Sequence, residues 1–203
     1  MRRIPLSRRS HVTGFRPLDG EAVEHESGLE RDFVLLTRFL DPSAAITSQP
    51  ITIMFESDGR TRRYTPDFRV VSGGRSDLIE IKYRADLRAQ WTRLRPAFEA
   101  ARRTAEGAGG HFRIVTESAI RGPLLDNARR LLPLRDAPLD GAVANRALAA
   151  ARSLPEPTFG TIVSAAAEDR AQALSVVWRL IARGLLVIDL TKPVLFDSVV
   201  RPR

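Results

Sequence analysis

Residues 64–83 read Y-T-P-D-F-R-V-V-S-G-G-R-S-D-L-I-E-I-K-Y. Two runs flank a Ser-Gly-Gly-Arg-Ser turn. The first, 64–71, is rich in aromatic and β-branched residues and the second, 78–83, alternates, so together they predict a β-hairpin. Side chains alternate faces along a strand. Leu78, Glu80 and Lys82 therefore share one face and Ile79, Ile81 and Tyr83 the other; on the first strand Thr65, Asp67 and Arg69 oppose Tyr64, Phe68 and Val70. The hairpin brings Asp67, Glu80 and Lys82 to one side of a sheet. Two carboxylates beside an ammonium are a donor set for a hard divalent cation with a base or charge clamp next to it. Either acid alone reads more readily as part of a solvated face. The joint pattern, Pro-Asp followed by Glu-x-Lys within one hairpin, is what raises the site. Lysine usage sharpens it: Lys82 and Lys192 are the only lysines, and every other basic side chain apart from histidine is arginine. A compact ammonium thus stands where a metal-side cation is needed.

Upstream, 26–40 predicts a helix with Ser27 as N-cap and Glu30 at the N3 position of a capping box. Leu29, Phe33, Leu36 and Leu40 form its apolar stripe, with Glu30 at the stripe's edge. Asp41-Pro42 stops the helix. Residues 46–56 predict a strand with Ile51, Ile53 and Phe55 on its apolar face, and Asp58-Gly59 is a turn signal, which makes a three-stranded meander with the hairpin. Before the helix, residues 1–19 carry Arg2, Arg3, Arg8, Arg9 and Arg16 with no acid ahead of Asp19. This reads as an extended basic arm, lying along a phosphate backbone or trailing as a tail.

Downstream, 85–105 predicts a long amphipathic helix. Leu87, Trp91, Leu94, Phe98 and Ala101 line one side, and Arg88, Arg95, Arg102 and Arg103 the other. Trp91 is assigned to the core rather than to base stacking. Residues 111–116 predict a strand parallel to one member of the meander, with His111 an ordinary strand-end residue, and 124–132 a further helix. Composition changes at 133–138, beyond which the chain is alanine-rich. Helices over 142–153, 158–167 and 170–183 precede a hairpin, 185–190 and 194–199, around Thr191-Lys192-Pro193. Three helices and a hairpin form a winged-helix pattern. Its third helix offers few base-reading side chains, which favours backbone or protein contact. The domain plan is a basic arm at 1–19, an α/β domain at 20–135 and a winged-helix-like domain at 139–203.

With 203 residues and 43% hydrophobic content, the chain holds one large or two small domains. The absence of cysteine excludes disulfides and thiolate metal sites. The opening Met-Arg-Arg-Ile-Pro is not followed by a secretory apolar core, and no run reaches membrane-span length. The expectation is a soluble cytoplasmic protein associated with a bacterial nucleoid. A net charge of +8 and an isoelectric point of about 11.1 suit a polyanionic partner, nucleic acid first, or reflect a genome rich in arginine codons.

The order of an acid on a helix, a Gln-Pro strand, a Pro-Asp strand, a Glu-x-Lys strand and a long helix is similar to that of the PD-(D/E)xK nucleases. It resembles most the TnsA family of transposon endonucleases, through E-S-G-L-E-R-D-F, Q-P-I, Y-T-P-D-F and I-E-I-K, over roughly residues 20–135. The resemblance implies an α/β restriction-endonuclease-like mixed sheet flanked by helices, with the small winged-helix domain behind it. It places the family's catalytic positions on Glu30, Asp67, Glu80 and Lys82. It implies Mg²⁺, or Mn²⁺ in its stead, held by Asp67, Glu80, Glu30 and the Ile81 carbonyl. The implied activity is DNA cleavage at the 5′ ends of a transposon, with a TnsB-type transposase and a TnsC-type AAA+ ATPase as partners and no membrane. A stand-alone restriction or repair nuclease, and a non-catalytic DNA-binding or assembly module on the same fold, are the alternatives.

Overall fold

The computed structural model describes residues 14–18, 21–25 and 27–203. The chain divides into two compact units, the first ending at Arg121 and the second running Gly122–Arg203. The division lies upstream of the compositional change at 133–138, and the helix expected at 124–132 belongs to the second unit. No helix among the described residues is long and apolar enough to cross a membrane.

The first unit opens with β1 (Gly14–Leu18) and β2 (Glu21–His25), an antiparallel pair. The end of the expected arm is thus a strand; residues 1–13 lie outside the described residues. Helix α1 (Gly28–Leu40) starts on Ser27, whose side chain accepts from the Glu30 N–H as the capping box requires. Leu29 and Leu36 are buried, whereas Leu40 is 62% exposed. Then follow β3 (Ala45–Ser48), β4 (Ile53–Ser57), β5 (Arg60–Tyr64), β6 (Phe68–Ser72) and β7 (Arg75–Ile81). Helix α2 (Arg84–Gly107), β8 (Phe112–Val115) and the short α3 (Glu117–Ile120) complete the unit.

The main sheet has the order β3-β6-β7-β8, antiparallel except for the parallel β7–β8 pair. Helix α2 is the crossover that a parallel pair needs. The sequence 46–56 therefore does not make one strand. A left-handed Gln49 (φ 44°) followed by Pro50 ends β3, and β4 pairs only with β5 in a separate hairpin. Both hairpins close through two residues with positive φ, Asp58-Gly59 and Gly73-Gly74, as primed turns require.

Strand β7 is the middle of the unit. Every residue from Asp77 to Ile81 is buried. On one face Phe68, fully buried beside β7, stacks on Phe33 of α1 at 5.6 Å. On the other, Leu78 packs with Ile53, Ala100, Ala101 and Ala105; three alanines let α2 approach the sheet closely. That helix is longer than the sheet it covers: about 36 Å for 24 residues, against about 23 Å for the seven of β7. Its buried residues begin at Ala97, just past the internal Pro96. No residue of the first half is buried, and Trp91, expected in the core, is 45% exposed with its ring 6.2 Å from that of Phe98.

The second unit contains α4 (Pro123–Leu131), α5 (Gly141–Ser153), α6 (Phe159–Ala166), α7 (Arg170–Ala182), β9 (Leu186–Ile188) and β10 (Val200–Pro202). Asp140, Thr158 and Asp169 cap the last three helices. The closing hairpin pairs β9 with Val200–Pro202, further along than the expected 194–199. Residues 196–199 have another use. Phe196 and Ser198 carbonyls accept from Gly160 and Phe159 at the start of α6, and Val199 bridges Thr158. Asn127, buried on α4, donates to the carbonyls of Leu190 and Lys192 and so fixes the start of that loop.

Gly110 supplies a test of the β7–β8 crossover. A Cβ there would lie 1.8 Å from the Ser76 carbonyl oxygen, whereas one at Gly107 meets nothing within 4 Å. Gly110→Ala is expected to cost about 1–3 kcal/mol in urea unfolding, and Gly107→Ala to stay within about 1 kcal/mol of wild type.

Candidate active site

The site is built at the C-terminal end of β7, where β6 has no more backbone to offer. The register pairs Phe68 with Ile79; extended by two positions, it sets Pro66 opposite Ile81. Proline has no N–H, so Pro66 has none to give the Ile81 carbonyl, and the ladder stops. The Asp67 side chain takes over: its Oδ2 accepts the Ile81 N–H at 2.6 Å. The Asp67 carbonyl in turn accepts the Gln49 N–H at 2.8 Å. Asp67 is therefore held by β3 through its backbone and by β7 through its carboxylate.

Glu80, one residue before Ile81, is only 3% exposed. Lys82 Nζ donates to its Oε1 at 2.9 Å, and Tyr64 Oη donates to its Oε2 at 2.6 Å. The Lys82 backbone is tied to β8 through its N–H to the Val115 carbonyl, 3.1 Å. The three residues that the hairpin pattern set on one side thus lie together at one sheet end. Tyr64 is the participant that the pattern missed. A continuous 64–71 strand would turn it away from Asp67. The chain breaks at Thr65-Pro66-Asp67, and Tyr64 ends β5 in the other hairpin. The signal was present in Pro66, since proline is confined to strand edges and starts.

Glu30 engages the helix cap and acts on the site electrostatically. Its Oε1 accepts from Ser27 Oγ at 2.8 Å, but its charge is felt at Asp67. Among the described residues no three His, Cys, Asp or Glu side chains form a ready-made cage for a metal.

The electrostatics follow from burial. Burial first, and the Glu80 charge second, push the Asp67 carboxyl well above the usual range; the Ile81 N–H and Lys82 oppose this, and Glu30 adds to it. Burial and Glu80 likewise raise the Tyr64 phenol far above its ordinary value, so it remains a donor. Burial alone would lower Lys82, but Glu80 and Asp67 outweigh it and raise the ammonium above its ordinary value. Two close carboxylates with one ammonium form an oxygen-rich, negatively charged corner. Mg²⁺ is usually bound through one or two carboxylates plus waters, so Asp67 and Glu80 suit such an ion without a third acid.

A mixed sheet with this strand order, flanked by helices and carrying acids at the end of its central strand, fits a restriction-endonuclease-like fold. Residues 44–117 match the family TnsA-like endonuclease N terminal, a match within the first unit that supports a TnsA-family endonuclease. The matched segment runs from just before β3 to the start of α3; it contains Asp67, Glu80, Ile81 and Lys82 and leaves Glu30 outside. No curated protein matches the chain significantly.

The charge at Asp67 predicts a gain from removing it. A carboxyl raised above its unfolded value stabilises the fold while protonated, and that contribution is lost as pH rises through its folded value. At neutral pH the ionised group is a cost. Asp67→Asn keeps an acceptor for the Ile81 N–H and is expected to raise stability at pH 7 by on the order of 1 kcal/mol. In urea melts the gain should shrink as the pH is lowered towards 4.

Proposed function

We propose that the protein is a divalent-metal-dependent DNA endonuclease, the nuclease subunit of a heteromeric cut-and-paste transposase, hydrolysing a phosphodiester at the 5′ ends of the element. The observation that carries this reading is the corner at the end of β7, where Asp67 is clamped onto the Ile81 N–H beside Glu80 and Lys82. Asp67 and Glu80 would hold Mg²⁺ or Mn²⁺, with the Ile81 carbonyl, left without a proline N–H opposite, as a further oxygen donor. Glu30, whose charge already reaches Asp67, would join on release of its contact with Ser27. The bound cation would supply Lewis acidity and a water of lowered pKa. Lys82 would neutralise the scissile phosphate or orient the attacking water. Hydrolysis adds that water to phosphorus and breaks one P–O ester bond.

DNA would be held by phosphates. Arg84, Arg88, Arg93 and Arg95 are exposed on the first half of α2, and Arg60, Arg62 and Arg63 on β5. Such contacts give affinity that falls steeply with salt. In the second unit α5, the Thr158–Val199 bridge, α6, α7 and the β9–β10 hairpin follow in order and read as a winged helix. At the exposed start of α7, Arg170 lies over the Phe196 ring and Gln172 donates to Asp140, so these base-reading side chains are engaged within the unit, which favours protein contact. A TnsB-type transposase and a TnsC-type ATPase are the partners that the family likeness suggests.

Asp67→Ala is expected to abolish Mn²⁺-dependent cleavage of transposon-end DNA, by about 10³-fold or more, while the variant stays folded by circular dichroism. Wild-type cleavage by this variant, with the transposase supplied, would overturn the assignment. Full wild-type activity without any transposase would assign a stand-alone nuclease instead.

A further inference from the structure

Tyr64 lies outside the sheet that carries Asp67 and Glu80, yet its hydroxyl ends on Glu80. It is the last residue of β5, and its ring is enclosed edge-on by Phe98 of α2, at 5.8 Å and 69°, and by Phe112 of β8, at 6.3 Å and 83°. Phe98 and Phe112 also pack on each other at 5.4 Å. The ring therefore has one place to sit, and its hydroxyl reaches Glu80 Oε2 at 2.6 Å while Lys82 holds Oε1 at 2.9 Å. A glutamate has three side-chain torsions. Two donors on separate oxygens, one of them mounted on an immobilised ring, remove that freedom and leave each oxygen with acceptor capacity.

We propose that Tyr64 is a positioning residue of the site, whose hydroxyl fixes the Glu80 carboxylate in the orientation in which it shares a divalent cation with Asp67. This rests on the metal-dependent reading above. Partners of metal-binding carboxylates tune affinity through the ligand they hold, and losing one typically weakens binding by about 10- to 100-fold. A purely structural Tyr64 would instead satisfy a buried acid and change only stability.

The test is calorimetric titration of the full chain with MnCl₂ alone, with no DNA and no partner protein. Four proteins are compared: wild type, Tyr64→Phe, Asp67→Ala and Gly110→Ala. Tyr64→Phe keeps both ring contacts and removes only the hydroxyl; Gly110→Ala is destabilised at a distance from the site. The expected result is Mn²⁺ binding by wild type and Gly110→Ala with equal affinity, binding roughly tenfold weaker or worse for Tyr64→Phe, and none for Asp67→Ala. Equal affinities for wild type and Tyr64→Phe, with Asp67→Ala silent, would overturn the positioning role and leave the nuclease reading standing. Equal weakening in Tyr64→Phe and Gly110→Ala would also overturn it, since general destabilisation would then account for the loss. Absence of Mn²⁺ binding by wild type would remove the metal site and the positioning role together.

Discussion

The bond from the Ile81 N–H to the Asp67 carboxylate is the constraint on which the first unit's site depends. The β6–β7 ladder ends at the Phe68–Ile79 pair: Pro66, opposite Ile81, has no N–H to continue it, and the Asp67 carboxylate rather than a backbone carbonyl takes the Ile81 N–H. A backbone donor at the end of a buried central strand needs an acceptor, and a side chain supplies it. The same residue gives its carbonyl to Gln49, at the left-handed turn where β3 ends. Three strands are thereby joined through one aspartate, and its carboxylate is brought beside Glu80.

The arrangement is electrostatically tense. Glu80 is nearly inaccessible, Asp67 is pushed towards its neutral form, and one ammonium serves both. Buried acids of this kind are costly unless paired; Lys82 pairs Glu80, and burial leaves the Asp67 charge the less favoured form. Lys82 and Tyr64 each stabilise one Glu80 oxygen. Under the proposed function, a divalent cation beside Asp67 and Glu80 would favour both acids in their charged forms. Such local cost at a working site, tolerated by the rest of the structure, is a common pattern.

The surroundings of the site follow from lengths and small residues. Alanines at 97, 100, 101 and 105 seat the second half of α2 on the sheet. None of the first half is buried: a crossover helix of 24 residues outruns a strand of seven. Arginines and a half-exposed tryptophan are displayed there, next in sequence to Lys82. In the second unit, capping residues set the starts of α5, α6 and α7, and the backbone of 196–199 is drawn to the start of α6, which shifts the hairpin towards the C-terminus.

Local rules were legible in the chain itself. Ser27 and Glu30 announced the start of α1, Asp58-Gly59 a tight turn, and the alternation of Leu78, Glu80 and Lys82 a shared face. Pro66-Asp67 and Glu80-x-Lys82 marked the site because strand periodicity acts over a few residues and needs no partner to be read. What tertiary structure alone decided was which strand pairs with which. Residues 46–56 and 64–71 each look continuous, and each is divided between two sheets by a proline whose effect depends on the strand opposite. The reach of Tyr64 to Glu80, the exposure of Trp91 and the engagement of Glu30 with Ser27 were decided there too. Each is set by contacts between elements distant in sequence or by how far one element outlasts another, and periodicity carries no record of either.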